Sequence, residues 1–74
     1  MDDEFVVGRS YRVLPGRMIE ARLSGFKVLS LAEDEEFEVV KIDSDVVTVK
    51  QTLLVNDEYY TIISTAIHDV REVS

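Results

Sequence analysis

Residues 36–64 constrain the fold more than any other part of the chain. They read Glu36-Phe37-Glu38-Val39-Val40-Lys41-Ile42, then Asp43-Ser44-Asp45, then Val46-Val47-Thr48-Val49-Lys50-Gln51-Thr52-Leu53-Leu54. Val55-Asn56-Asp57 follows, and Glu58-Tyr59-Tyr60-Thr61-Ile62-Ile63-Ser64 completes the stretch. β-Branched and aromatic side chains pack well on a pleated surface, whereas Asp, Ser and Asn bond to their own backbone in turns. The pattern predicts three strands joined by tight turns, an antiparallel meander.

The flanking segments are shorter and less regular. Residues 1–4 are acidic and expected to fray. Phe5-Val6-Val7 is an apolar run stopped by Gly8, read as an edge strand or a hydrophobic strap. In Arg9-Ser10-Tyr11-Arg12-Val13-Leu14, Tyr11 and Val13 share one side and Ser10 and Arg12 the other, the period of a half-buried strand. Pro15-Gly16 then suits a type II turn, because Pro fixes φ and Gly accepts φ > 0. In residues 17–24, Ile19 and Leu23 lie four apart among helix formers, and Gly25 can end a helix, so a short helix is expected there, with an irregular loop that pins Met18 and Leu23 against a barrel end as the alternative. Phe26-Lys27-Val28-Leu29-Ser30-Leu31 reads as a strand, and the acids of residues 33–36 as a solvated loop. Residues 65–69 read as one helical turn, with Thr65 as cap and Ile67 inward, and Val70-Arg71-Glu72-Val73 as a last short strand.

Length and composition set the outer bounds. With 74 residues and 46% hydrophobic residues the chain can form a single domain over residues 1–74, close to the lower size limit for folding unaided. It has no cysteine, which excludes disulfides and thiolate metal sites. No apolar run reaches the ~18 residues that cross a bilayer, and the acidic start has the wrong sign for a signal peptide. A cytoplasmic protein is expected, and the leading Met1 fits a complete small gene product. The net charge is −7 and unevenly spread. Residues 1–32 hold four acids (Asp2, Asp3, Glu4, Glu20) against five bases (Arg9, Arg12, Arg17, Arg22, Lys27), net +1. Residues 33–74 hold eleven acids against Lys41, Lys50 and Arg71, net −8, which suggests a dipolar surface. Non-specific nucleic-acid binding needs a basic surface, so the overall sign argues against it.

In element order the chain resembles an SH3-like small barrel: a first strand, a long connection, a meander, a helical turn and a last strand. Such a barrel implies five to six short antiparallel strands, one short helix near 17–24 and a helical turn near 65–69. The sequence holds no Trp, so the aromatic groove that binds Pro-rich peptides in signalling SH3 domains is missing. An OB-like barrel is the alternative.

Reactive chemistry is sparse. His68 stands beside Asp69, but neighbours in sequence seldom orient one another, and no serine sits in a nucleophile elbow. A structural or surface role for His68 is the simpler reading. Asp43-Ser44-Asp45 begins like a calcium loop but lacks the following Gly and the distal Glu, and its residues suit a hairpin turn. Gly8, Gly16 and Gly25 are isolated and make no phosphate cradle. No enzyme, cofactor or metal is expected. The expected function is a small acidic binding module that engages or inhibits the basic surface of a protein partner. Its carboxylates Glu33, Asp34, Glu35, Glu36, Asp43, Asp45, Asp57 and Glu58 all lie at predicted strand connections, where binding surfaces usually sit. Small acidic chains of this kind resemble the host-directed proteins of bacteriophages, some of which imitate nucleic-acid charge. Two alternatives stand beside it. Arg9, Tyr11, Arg12, Arg17 and Arg22 combine cations with an aromatic ring, one ingredient of a nucleic-acid site. The other alternative is a structural subunit in which residues 5–7 or 46–54 complete a neighbour's sheet in a larger assembly.

Overall fold

The computed structural model describes residues 4–23, 27–51 and 59–73. Its elements, in order, are β1 (Ser10–Val13), β2 (Ile19–Leu23), β3 (Val28–Leu31), β4 (Glu36–Asp43), β5 (Val46–Gln51), β6 (Tyr59–Ile63), a 3-10 helix (Ser64–Asp69) and β7 (Val70–Val73). The fold is mainly β, with seven antiparallel strands among the described residues instead of five or six. They make one sheet in the order β3-β2-β6-β5-β4-β1-β7, curled into a half-barrel.

The meander forms as its residue types predict. β4 pairs with β5 from Phe37↔Gln51 to Asp43↔Val46, and β5 with β6 from Val46↔Ile63 to Lys50↔Tyr59. Ser44 and Asp45 make the connecting turn, Ser44 with φ +57°. The turn expected at 55–57 lies outside the described residues, as do the expected fray at 1–3 and Gly25 and Phe26. The Pro15-Gly16 turn is present: Gly16 has φ +76°, and the Arg17 N–H donates to the Leu14 carbonyl at 3.1 Å.

Curvature enters through β4. Its register with β5 slips between Val39 and Lys41, which leaves Val40 as an extra residue in a bulge. A bulge bends its strand and raises the local twist. It also shifts the alternation of faces. Phe37 and Val39 point into the core, and beyond the bulge Ile42 rather than Lys41 takes the inward side, opposite buried Val47. The strand can thus serve β1 at one end and the β4–β5 turn at the other.

The core is built around three rings. Tyr11 and Phe37 are fully buried and stacked at 6.0 Å, and Phe5 meets Tyr11 edge-on at 4.9 Å. The Tyr11 hydroxyl accepts a hydrogen bond from the Val6 N–H at 2.9 Å. Residues 5–7 are therefore a strap, and its one buried side chain is Phe5. Val13, Leu31, Val39, Val47 and Val49 fill the rest of the fully buried volume.

Three local expectations are corrected. The short helix near 17–24 is absent, and β2 runs through Ile19–Leu23 with Ile19 and Ala21 buried and Glu20 and Arg22 exposed. Ile19, Ala21 and Leu23 satisfy the period of two as readily as that of four. Two helical turns could not repay nucleation, whereas β3 and β6 offer ladders on either side. Glu36 is not in a loop: it opens β4 opposite Arg12. The helical turn expected at 65–69 is present as the 3-10 helix, with Ile67 buried, but no side chain caps it. The Ser64 N–H instead donates to the Asp45 carbonyl at 2.8 Å.

Candidate functional site

An open groove of about 440 Å³ lies where the β4–β5 turn, the 3-10 helix and the strap converge. Four separate segments supply its apolar floor: Phe5, Ile42, Val47 and Ile67. Each is placed by a device described above. The strap inserts Phe5, the bulge turns Ile42 inward, the β5 ladder fixes Val47, and the 3-10 turn presents Ile67. Ser44, Ser64, Thr65 and His68 add polar groups, and Glu4 and Asp45 supply the charge. Neither Glu4 nor Asp45 has an ion-pair partner among the described residues. Two unneutralised carboxylates over an apolar floor favour a ligand that brings both a cation and an aliphatic side chain.

Among the described residues, the carboxylates expected to meet a partner fall at the two ends of β4. Glu33 and Asp34 form the β3–β4 turn, with Asp34 at φ +70°, while Asp43 and Asp45 sit at the other end of β4. Eight residues of strand hold the two ends about 23 Å apart. Glu35 is committed locally: its Oε2 accepts the Ala32 N–H at 3.0 Å. Glu36 accepts from Arg12 Nε at 3.2 Å and Nη2 at 2.8 Å. These bonds, and then the Glu36 charge, raise the Arg12 guanidinium above its ordinary pKa. Asp57 and Glu58 lie outside the described residues. Among the described residues, Asp45 is therefore the one predicted carboxylate that borders the groove.

The arginines are largely turned to internal partners. Arg9 binds both Glu72 carboxylate oxygens at 2.9 Å, and Arg17 reaches Asp69 at 3.5 Å. Arg22 is exposed on β2. Tyr11 is a core residue, so its ring offers no face to a base. β1 lies between β4 and β7, which sets the basic N-terminal segment among the C-terminal acids. Three N-terminal arginines, Arg9, Arg12 and Arg17, are thus paired with acids of residues 33–74. β5 is likewise flanked on both sides, and the sheet edges are β3 and β7 instead. A neighbour's sheet cannot be extended by pairing with β5.

His68 stands on the groove wall, exposed, and makes no hydrogen bond among the described residues. The carboxylate of adjacent Asp69 is turned toward Arg17. Among the described residues no three His or carboxylate side chains are grouped to hold a metal ion. No helix among them is long and apolar enough to cross a membrane.

Sequence reasoning missed Glu4, Ile42 and Val47 as groove residues. One signal was available: Phe37-x-Val39-Val40-x-Ile42 breaks strict alternation at the bulge. Comparison with protein-family models, curated proteins and solved structures finds no match for this chain.

Proposed function

We propose that this chain is a small non-catalytic binding module that captures a lysine- or arginine-bearing segment of a protein partner in the groove beside Asp45. The carrying observation is the contrast between two sets of charges. Arg9, Arg12 and Arg17 are spent on Glu72, Glu36 and Asp69, whereas Glu4 and Asp45 border apolar surface with no ion-pair partner among the described residues. A cation arriving there gains Coulomb attraction while a nearby aliphatic side chain of the same segment covers Ile42, which is half-exposed. We read the architecture as an SH3-like barrel. A hairpin, β2–β3, fills the long first connection, a meander follows, and a helical turn leads into a last strand that returns to β1.

A titration with a labelled peptide of alternating lysine and valine tests the binding role. Affinity should fall as salt is added, since exposed charges are screened over about 8–10 Å. Asp45→Asn should weaken it roughly threefold, the size of one exposed ion pair. Binding indifferent to both salt and Asp45 would sink the reading.

A further inference from the structure

The groove beside Asp45 has a neighbour on the outer face of the sheet. β2 and β6 pair at Arg22↔Thr61 and Leu23↔Tyr60 and part beyond those residues. Where they part lies a second open depression of about 360 Å³. Val46, Ile62 and Ile63 give it apolar surface, and Glu20, Arg22 and Asp45 give it charge. Asp45 borders both depressions. The wall between them is a fixed turn, pinned by the bond from the Ser64 N–H to the Asp45 carbonyl. Val46 and Val47 point to opposite faces of β5, so the start of one strand lines both depressions.

The charges fall in an order. Glu4 and Asp45 mark the groove, and Glu20 faces outward on the part of β2 that has left β6. Arg22 comes next along β2, exposed and without an ion-pair partner among the described residues. Val46 pairs with Ile63, and Arg22 with Thr61. Two strand spacings across and two residues along therefore separate Val46 from Arg22 by about 12 Å, the reach of three to four extended residues.

We propose that the two depressions form one track around the Asp45 turn. It takes an extended segment of a partner protein with a lysine or arginine, an aliphatic residue two positions on and an acidic residue about four positions on, all on one face of the segment. The base meets Asp45, the aliphatic side chain lies on Val46 and Ile63, and the acid meets Arg22. This rests on the groove-binding reading and adds a second, oppositely charged contact to it.

Two peptides discriminate: Lys-Thr-Val-Thr-Glu and Lys-Thr-Val-Thr-Lys, each blocked at both ends and titrated into the isotope-labelled chain by NMR. The Glu-ended peptide should shift amide signals at both Ile67 and Arg22, and bind roughly threefold to fivefold tighter than the Lys-ended one. Arg22→Glu, with its spectrum otherwise intact, should reverse that preference. If both peptides shift only the residues around Asp45 with equal affinity, the track is overturned while groove capture stands. If neither shifts residues around Asp45, both readings fail. If the same signals move on simple concentration of the protein, the occupant is a second copy of this chain and the proposal is overturned.

Discussion

Ser44 carries a backbone cost that a single atom-level change can remove. It takes φ +57° in a two-residue turn, in the left-handed region where a side chain crowds the following carbonyl at roughly 1–2 kcal/mol. Glycine pays no such penalty but loses more freedom on folding, which returns roughly 0.5–1 kcal/mol. Ser44→Gly should therefore stabilise the fold by about 0.5–1 kcal/mol, measured as a higher urea midpoint at unchanged slope. Ser44→Val should lower it, since a β-branched side chain resists that region most. At this scale the sequence is only half readable. Pro15-Gly16 announces its turn because both residues are specialised for it, and the positive φ of Gly16 follows. Asp34 belongs to a residue type that visits this region more than most, whereas Ser44 adopts it without being specialised, so the identity of Ser44 does not announce it. The partners of Arg9 and Arg12, 63 and 24 residues away, are set by strand order, which no local pattern encodes.

Among the elements, β4 has the most separate duties. It pairs with β1 near Glu36 and with β5 to the turn, and its bulge carries Ile42 to the groove floor. Deleting Val40 would leave Val39, Lys41 and Ile42 in regular alternation, with the hydrophobic side chains still inward. Strand content by circular dichroism should then persist, while the extra bend is lost and peptide affinity at the groove falls. Unchanged affinity would show that curvature does not shape the site. The elements most legible in sequence, β4 to β6, are those whose β-branched runs exceed any helical alternative. β2 misleads because five residues spaced for either period leave the decision to neighbouring strands, and those arrive from residues 28–31 and 59–63. The groove was legible only through Asp45, since four distant segments meet there.

For the whole molecule, the balance of charge decides how conditions act. The net charge is −7, and the ion pairs Arg9–Glu72, Arg12–Glu36 and Arg17–Asp69 are all partly exposed. Exposed pairs contribute little, whereas self-repulsion among unpaired carboxylates acts across the whole surface. Added salt should therefore raise the urea midpoint, because screening relieves more repulsion than it removes attraction. A midpoint that falls with salt would mean the pairs carry more of the stability than their exposure implies. Arg12 adds no pH dependence to this. Its pKa is raised above an already high ordinary value, so the guanidinium keeps its charge throughout the range in which the protein folds and its own titration matters only in strong alkali.

The placing of β1 beside β7 has a mechanical meaning. Ser10 lies opposite Val73, so the outward end of the first strand and the outward end of the last are on the same rung. Force applied through those two points would peel the ladder open bond by bond rather than load all its rungs in parallel. A protein tethered this way yields to gentle traction, and the first thing traction would detach is the strand that carries the Glu72 partner of Arg9.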